Sequence, residues 1–391
     1  MLKQIWPRNL LSFGPDTEPL SLNKLNVLIG PNAAGKSNLI EAITLLRATP
    51  ADVRELVRQN GGVGEWIWKG SEKTPASVEV LLENPGNDQL LRHFFAFAND
   101  NQSFCVVDER IENEKPEPSK PDPYLYYTFN RGHPVINTKD EENVDGKKRS
   151  LERDSVEIDA SILAQRRDPD QYPEIYHLIS KYEKIRAYRE WSFGRNTVFR
   201  RPQKADMRND RLEEDFSNLG LVLNRLRKKP KAKAAILKGL QDLYEGVSDY
   251  DISVEGGAVQ VFFTEGEFTI PATRLSDGTL RYLCLLAILC DPTPPPLICI
   301  EEPELGLHPD ILPQLTDLLI DASTRTQLIV TTHSDILVDA LSETPESVVV
   351  CEKHQGQTRM SRLNADDLSE WLKNYRLGEL WTKGEIGGVR W

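Results

Sequence analysis

The sequence predicts an α/β fold with a β-rich N-terminal lobe and a helical insertion. Three short, mainly apolar runs carry this prediction, namely 25–29 (LNVLI), 297–300 (LICI) and 328–332 (LIVTT). Runs of this kind are typical of strands buried on both faces of a sheet. The first run is followed by Leu39, Ile43 and Leu46 at helical spacing, so strands and helices are expected to alternate.

The remaining elements follow from periodicity and turn residues. In chain order we predict two short strands in 1–30, a β-rich region at 61–110, a polar, Pro-rich loop or linker at 111–150, a basic helical segment at 151–245 and a β-hairpin or meander at 251–270. Three parts result: an N-terminal part at 1–135, a linker with the helical insertion at 136–248, and a C-terminal α/β part at 249–391.

Charge is distributed unevenly along the chain. The formal net charge is −12, yet residues 146–240 hold 23 Lys and Arg against 14 Asp and Glu, whereas the remainder holds 25 against 46. A basic segment of this kind indicates either a surface for DNA, RNA or another acidic partner, or the solvated faces of helices.

Cysteine usage and hydropathy indicate a cytoplasmic protein. The five cysteines are odd in number and lack metal-ligand spacing, so we expect reduced thiols that are mostly buried. The N-terminus lacks the apolar stretch of a secretory signal, and no apolar run approaches the roughly 20 residues of a membrane-spanning helix. We therefore expect no membrane association.

Residues 30–37 read GPNAAGKS, the pattern GxxxxGKS, between a predicted strand and a predicted helix. In this setting the loop N–H groups and the helix N-terminus hold phosphate oxygens, and Gly35 permits close backbone approach. Lys36 would neutralise the β- and γ-phosphates, and the Ser37 hydroxyl would ligate Mg²⁺. The predicted nucleotide-binding residues of this loop are Gly30, Pro31, Asn32, Ala33, Ala34, Gly35, Lys36, Ser37 and Asn38.

Two adjacent carboxylates, Glu301 and Glu302, follow the apolar run 297–300. Successive strand residues point to opposite faces, so at a strand end one carboxylate can face the metal and the other the water near the γ-phosphate. Pro303 ends strand pairing directly after them. A phosphate cradle needs such an acidic strand beside it.

A second anion site is predicted at 274–281 (RLSDGTLR), which opens an apolar helix. Ser276 is a favourable N-cap, and its hydroxyl, the Gly278 backbone and the helix N-terminus together suit a phosphate. This LSxGxxR pattern is that of ABC-type ATPases. The third buried run ends at His333, whose ring is placed to hydrogen-bond a γ-phosphate.

In their order, the motifs GPNAAGKS, RLSDGTLR, ICIEEPELGLHP and VTTHS resemble the ABC-type ATPase heads of the RecF/SMC/Rad50 superfamily. The sequence is most similar to compact RecF-like bacterial ATPases of the OLD and anti-phage-defence kind. The opening MLKQIWPRNLLSFG and the ending LGELWTKGEIGG resemble this group as well. The resemblance implies a P-loop NTPase of the ABC type that binds ATP and Mg²⁺ and hydrolyses ATP.

The resemblance also implies roles for single residues. Lys36 and Ser37 would bind phosphates and Mg²⁺. Glu301 would coordinate the metal where the family usually has Asp. This difference affects the expected geometry of metal coordination and not the expected activity. Glu302 would polarise the attacking water, and His333 would be the switch histidine. The implied catalytic residues are therefore Lys36, Glu302 and His333.

A second copy of the chain is implied as well. Ser276 and Gly278 would contact the γ-phosphate bound on another protomer, so two chains would sandwich two ATP molecules in a head-to-tail homodimer. Residues 303–309 would cross that interface. Families of this kind also have a glutamine loop after the first lobe, for which Gln102 is the candidate.

The biological role is predicted from what the chain contains. OLD-type nucleases carry a Toprim nuclease domain after the switch histidine, whereas only 58 residues follow His333 here, so we expect no nuclease. We predict the sensor or regulatory subunit of a bacterial anti-phage defence system, of the abortive-infection or toxin–antitoxin kind, that controls a separately encoded nuclease or toxin. The alternatives are a RecF-like DNA-binding ATPase of DNA repair or recombination, and a nucleotide-gated scaffold without hydrolysis.

Overall fold

A computed structural model describes residues 1–388 apart from 72, 87, 119, 131, 139–146, 151–155, 158, 192–193 and 195–196. Its strands in chain order are β1 (Leu2–Arg8), β2 (Leu20–Ser21), β3 (Leu25–Ile29), β4 (Ala76–Glu83), β5 (Leu90–Asp100), β6 (Ser103–Pro116), β7 (Pro123–Asn130), β8 (His133–Thr138), β9 (Lys147–Ser150), β10 (Arg186–Tyr188), β11 (Gln203–Lys204), β12 (Val247–Glu255), β13 (Ala258–Glu265), β14 (Phe268–Pro271), β15 (Leu297–Glu301), β16 (Gln327–Thr331), β17 (Val348–His354) and β18 (Gln357–Arg362).

The α-helices lie between groups of these strands. In chain order they are α1 (Lys36–Ala48), α2 (Val53–Gln59), α3 (Val63–Trp66), α4 (Ile162–Gln165), α5 (Pro173–Tyr182), α6 (Leu219–Arg227), α7 (Pro230–Leu243), α8 (Asp277–Leu289), α9 (Leu312–Ser323), α10 (Asp335–Asp339), α11 (Ala365–Leu368) and α12 (Leu377–Thr382). None of the helices in the described part of the chain is long and apolar enough to cross a membrane.

A six-stranded sheet contains the three predicted buried runs, in the order β10-β15-β16-β3-β17-β18. Its neighbouring strands are parallel, except that β17 and β18 form an antiparallel hairpin. Parallel strands end at the same edge, so the residues that follow β3, β15 and β16 come together there. The predicted α/β fold is confirmed.

Successive residues of the central strands pack into two different apolar cores. Leu28, Cys299 and Ile329 belong to the core shared with the N-terminal sheet. Val27 and Val330 belong to the core shared with α6, α7 and α8. Because both faces of the sheet are covered, most positions along these strands are apolar, which explains the mainly apolar runs in the sequence. The buried Asn26 of β3 is polar, and its side-chain amide donates to the carbonyl oxygens of Asn23 and Leu328.

The N-terminal lobe is an antiparallel sheet in the order β2-β1-β4-β5-β6-β7-β8-β9. The prediction of a loop or linker at 111–150 is wrong for the described residues of this range, because β6 extends to Pro116 and β7, β8 and β9 follow, whereas 119, 131 and 139–146 lie outside the described residues. The prolines flank the turn between β6 and β7, where Pro116 pairs with Pro123. Tyr127 and Phe129 bury their rings in the first core, which stabilises β7 despite its polar surroundings.

Three very short strands also differ from the prediction, and one of them is β11, which lies in the segment predicted as helical and pairs with β13. Residues 1–30 contain three strands instead of two, because the two-residue β2 pairs with β1. The three-residue β10 lies within the segment predicted as helical and joins the edge of the central sheet beside β15. Runs this short show no periodicity in a sequence. The three ranges 1–135, 136–248 and 249–391 remain a prediction.

A third sheet combines β11 to β14, and its antiparallel strands β12, β13 and β14 form the predicted meander. Helix α7 packs between this sheet and α8, so the meander and α7 together support α8. Four cysteines are buried and Cys105 is half-buried, and all five are free thiols, as expected.

Candidate functional site

The predicted site residues lie at the carboxyl edge of the central sheet. Strand β3 leads into the GPNAAGKS loop, β15 ends at Glu301, and β16 leads through Thr332 to His333. Crevices at this edge are where open α/β sheets bind ligands. The fold thus gathers motifs that are about 300 positions apart in the sequence.

The GPNAAGKS loop turns tightly between β3 and α1. Gly30, Ala33 and Gly35 have positive φ angles of 143°, 64° and 99°. A Cβ at Gly30 would overlap the Cys351 carbonyl oxygen, so the backbone of β17 also excludes a side chain there. A loop of this shape offers successive backbone N–H groups to an anion, as the sequence pattern predicts.

Lys36 is the first residue of α1 and is buried. Its Nζ donates to the carbonyl oxygens of Gly30 and Pro31, at 2.7 and 3.0 Å. Burial lowers the pKa of Lys36, while the charge of Glu302 opposes that shift. The ammonium group therefore lies over the loop and close enough to the acid pair to feel its charge.

Glu302 and His333 lie side by side at the ends of β15 and β16. The Glu302 Oε1 is 3.6 Å from the His333 Nε2. Glu302 has a φ of 45°, a left-handed conformation that costs energy for a glutamate, and its N–H donates to the Thr331 carbonyl oxygen at 3.0 Å. Strained backbone of this kind is concentrated at active sites and ligand-binding sites, where it fixes the direction of a side chain.

The state of the His333 ring follows from its surroundings. Burial and the charge of Lys36 lower the pKa of His333, although Glu302 acts in the opposite direction. A lowered pKa favours the neutral imidazole near neutral pH, and neutral imidazole can donate from one nitrogen and accept at the other. The structure therefore brings the predicted switch histidine beside the predicted base.

Glu304 is a further residue of this site that the sequence reasoning missed. Its Oε1 accepts the backbone N–H of His333 at 2.8 Å. Burial raises the pKa of the Glu304 carboxyl, and the His333 N–H lowers it. The residue therefore holds the loop that carries His333 against the loop that follows Glu302. The repeated acid in EEPE is the only sequence signal that points to it.

Arg189, directly after β10, is the second residue that the sequence reasoning missed. Its Nε donates to the Glu301 Oε2 at 2.9 Å, and its Nη1 donates to the Glu41 Oε1 on α1 at 2.7 Å. The Trp191 indole N–H donates to the Glu301 carbonyl oxygen at 2.8 Å. No motif marks Arg189, because only the pairing of β10 with β15 brings it to the acid pair.

The residues around Ser37 fit a magnesium ion bound together with phosphates. Among the described residues no group of three or more His, Cys, Asp or Glu could hold a metal without further ligands. Mg²⁺ commonly takes one or two protein oxygens and completes its octahedron with phosphate and water. Ser37 and Glu301 can supply such oxygens, although Arg189 already holds one oxygen of Glu301.

Replacing Arg189 by Ala is expected to tighten Mg²⁺ binding. The carboxylates of Glu41 and Glu301 would lose the cation between them, so the electrostatic potential near Ser37 would become more negative. The Mg²⁺ concentration for half-maximal binding of a fluorescent ATP analogue is therefore expected to fall by about fivefold. The matched control is Arg47→Ala, which removes a single ion pair, with Glu214, from the far end of α1. Equal Mg²⁺ dependence in wild type and Arg189→Ala would contradict the expectation.

The predicted second anion site lies at the N-terminus of α8. Ser276 is the N-cap, and its Oγ accepts the Thr279 N–H at 3.0 Å, as predicted. Ser276 is exposed. A Cβ at Gly278 would lie 2.7 Å from the Gly306 carbonyl oxygen, so the loop after the acid pair packs against this motif. The serine hydroxyl is thus presented at the surface beside residues 303–309.

The N-terminus of α8 is also tied to the segment that follows Arg189. The Asp277 carboxylate accepts the Gly194 N–H at 3.0 Å and pairs with Arg200 at 2.6 Å. The Arg281 guanidinium lies 4.1 Å from the centre of the Trp191 ring and donates to the Glu302 carbonyl oxygen. One segment therefore contacts both the acid pair and the predicted signature motif.

Gln102, the candidate for a glutamine loop, lies elsewhere in the molecule. It is exposed in the turn between β5 and β6, and its N–H donates to the Asn99 side chain at 2.8 Å. It lines a surface cavity of about 260 Å³ with residues such as Arg54 and Asp159, on the N-terminal lobe. The structure therefore does not place Gln102 with the GPNAAGKS loop, and Arg189 is the residue beside Glu301.

A family model matches residues 25–339, a range that contains all four motifs. The matching family is described as "AAA domain, putative AbiEii toxin, Type IV TA system". No curated protein matches the chain.

Solved structures with a similar fold include Smc heads. One is a crystal structure of the Smc head bound to the C-winged helix domain of ScpA, with a TM-score of 0.56 and 13% identity over 94% of this chain and 99% of that one. Another is the Smc head with an extended coiled coil bound to the C-terminal domain of ScpA derived from Pyrococcus furiosus, with a TM-score of 0.55 and 11% identity over 95% and 98%. At these identities the likeness shows the fold alone, which is that of an ABC-type ATPase head.

Proposed function

The chain belongs to this AAA-domain family, and from that premise we propose that it is an ATP hydrolase of the ABC type. The observation that carries the proposal is the Glu302 carboxylate 3.6 Å from His333, at the sheet edge where Lys36 lies over the GPNAAGKS loop. A carboxylate placed there can orient a water and take up its proton as the water attacks a γ-phosphate. Lys36 and the backbone N–H groups would hold the phosphates, and His333 would donate to the γ-phosphate.

Mg²⁺ bound at Ser37 would neutralise the charge that develops on the β- and γ-phosphates. Glu301 would act on this ion from the end of β15. Arg189 holds one carboxylate oxygen of Glu301, so the other oxygen is the one that this residue could offer to the ion. Glutamate is one methylene longer than the aspartate that the family usually has at this position.

A second copy of the chain would complete the site. The Ser276 hydroxyl is exposed at the N-terminus of α8, where the helix dipole and the backbone N–H groups of the first turn attract an anion. We infer that this surface meets the γ-phosphate bound by another protomer, which gives a head-to-tail homodimer around two ATP molecules. Gly278 and Gly306 in contact would then form part of the interface.

The biological role that we propose is regulation of a separate effector. The family description names a putative toxin of a toxin–antitoxin system, which supports a role in a system of that kind. The Smc heads of similar fold are bound to ScpA, so a head of this architecture can carry a partner protein. For this chain the partner would be a separately encoded nuclease or toxin, controlled by opening and closing of the dimer.

The structure favours this role over direct binding of nucleic acid by the basic segment 146–240. Many of the cations of that segment are already paired with carboxylates: Arg200 with Asp277, Arg208 with Asp210, Arg225 with Asp291, Arg227 with Asp251 and Lys233 with Asp249. Paired charges contribute little to the long-range potential that attracts DNA or RNA. A RecF-like role in DNA repair therefore remains the second candidate.

Replacing Lys36 by Ala tests the proposed activity. The variant loses the ammonium that neutralises the phosphates, so ATP affinity is expected to fall by about tenfold or more and hydrolysis is expected to cease. The measurement is binding of a fluorescent ATP analogue together with phosphate release. Lys24→Ala is the matched control, because Lys24 is exposed in the turn before β3. If wild-type protein neither binds nor hydrolyses ATP, the proposed function is wrong.

A further inference from the structure

The C-terminal residues 377–388 (LGELWTKGEIGG), called the C-terminal brace below, connect two parts of the candidate site. The brace begins with the short helix α12. Leu377, Leu380 and Trp381 are almost completely buried, with 0%, 1% and 8% of their surface exposed. Side chains buried to this degree fix the brace to the elements on which they pack.

One end of the brace is attached to α10, which begins two residues after His333. The Asp339 Oδ1 accepts the N–H groups of Gly378 and Glu379 at 2.6 and 3.2 Å, so a side chain of α10 caps α12. The Ser342 hydroxyl accepts the Leu377 N–H at 3.0 Å. A Cβ at Gly378 would overlap the Asp335 carbonyl oxygen, so only glycine allows this contact between the two helices.

The other end of the brace lies against the first glycine of the phosphate cradle. The Glu352 Oε1 of β17 accepts the Gly388 N–H at 3.0 Å, and the Gly388 carbonyl oxygen accepts the Trp381 indole N–H at 3.0 Å. Gly388 has a φ of 71°. A Cβ on it would lie 3.5 Å from the Gly30 Cα and 3.2 Å from the Trp381 Nε1, so this position is closely surrounded.

We propose that the C-terminal brace positions the phosphate cradle relative to the His333 loop, with Trp381 and Asp339 as its positioning residues. The inference rests on the proposed ATPase function and adds a part of the chain that none of the four motifs contains. Trp381 acts through Gly388 on Gly30, while Asp339 acts through α10 on the loop that carries His333. Because α12 lies between the two contacts, a change at either end is transmitted to the other.

Replacing Trp381 by Phe tests the end at the cradle. Phe keeps an aromatic ring in the buried position but lacks the N–H, so the Gly388 carbonyl loses its partner, and affinity for a fluorescent ATP analogue is expected to fall by about fivefold. The matched control is Trp371→Phe, a half-exposed tryptophan outside the brace, which is expected to bind as wild type does. The thermal unfolding midpoint of each variant is measured as well, and wild-type affinity in Trp381→Phe would overturn the inference.

Replacing Asp339 tests the other end. Asp339→Asn keeps an oxygen that can accept the Gly378 N–H, whereas Asp339→Ala removes it, so ATP turnover is expected to fall in Asp339→Ala and to be largely retained in Asp339→Asn. If Asp339 had a structural role alone, Asp339→Ala would lower the unfolding temperature, but ATP turnover of the folded protein would not differ between Asp339→Ala and Asp339→Asn. Equal turnover in Asp339→Ala and wild type would contradict the proposal.

Hydrogen exchange provides a readout that is independent of turnover. In the full chain, ATP is expected to slow amide exchange in residues 377–388, because two coupled sites must affect each other reciprocally. Slowed exchange around the GPNAAGKS loop with unchanged exchange in the brace would overturn the proposed role of the brace and leave the proposed ATPase function standing. Absence of ATP binding by wild-type protein would overturn the proposed function and the brace together.

Discussion

Glu302→Gln is expected to lower ATP turnover by about 100-fold or more, while ATP binding is retained and two copies remain closed around the nucleotide. Glutamine fills the same space but does not accept the proton of the attacking water. The GPNAAGKS loop, Lys36 and Ser276 are unchanged, so the contacts that close the dimer persist. Phosphate release measures turnover, and sedimentation in the presence of ATP measures the dimer.

The structure explains why Glu302 and not its neighbour is expected to have this effect. The Glu301 carboxylate is held by Arg189, whereas the Glu302 carboxylate lies beside His333 and its backbone is fixed by two hydrogen bonds to Thr331. A suitable control is Glu343→Gln, an exposed glutamate beyond α10, which is expected to leave turnover unchanged. Turnover that persists in Glu302→Gln would show that another group activates the water.

Ser276→Arg is expected to prevent dimer formation and thereby abolish hydrolysis, without weakening ATP binding to the single protomer. An arginine side chain at the exposed N-cap of α8 would occupy the space into which the second protomer brings its phosphates. The cradle that binds ATP in the same chain consists of other residues and stays intact. Sedimentation with ATP in the Glu302→Gln background distinguishes a monomer from a trapped dimer.

Ser276→Arg both removes the N-cap and adds a bulky side chain, and the effects of these two changes must be distinguished. The Ser276 Oγ caps α8 through the Thr279 N–H, and removing such a cap costs about 1 kcal/mol of stability. Ser276→Ala removes the cap and the proposed hydroxyl contact without adding bulk, so it is expected to lower the unfolding temperature and to weaken the ATP-dependent dimer less than Ser276→Arg does. A dimer that forms equally well in Ser276→Arg would show that this helix end does not face a second protomer.

Motifs whose residues are close in sequence could be predicted from the sequence. GPNAAGKS, RLSDGTLR and the pair of Glu301 and Glu302 each place their backbone and side chains by local geometry, so a strand, a turn and a helix N-cap suffice to describe them. The buried runs at β3, β15 and β16 were also predictable, because burial on both faces favours apolar residues at successive positions of a strand. The missed strands β7 to β9 lie in a polar, Pro-rich segment, and this composition is typical of a loop. The few aromatic side chains that are buried there do not form a strand pattern strong enough to indicate otherwise.

The sequence by itself determined that this chain has a phosphate-binding loop, an acid pair on a buried strand and a capped helix of the signature pattern. Only the tertiary structure decided which groups surround them. Arg189 reaches Glu301 because the three-residue β10 pairs with β15, and the brace reaches Gly30 because β17 lies beside β3. Contacts between residues more than 100 positions apart depend on strand order and packing, and no local pattern of residues encodes either of these.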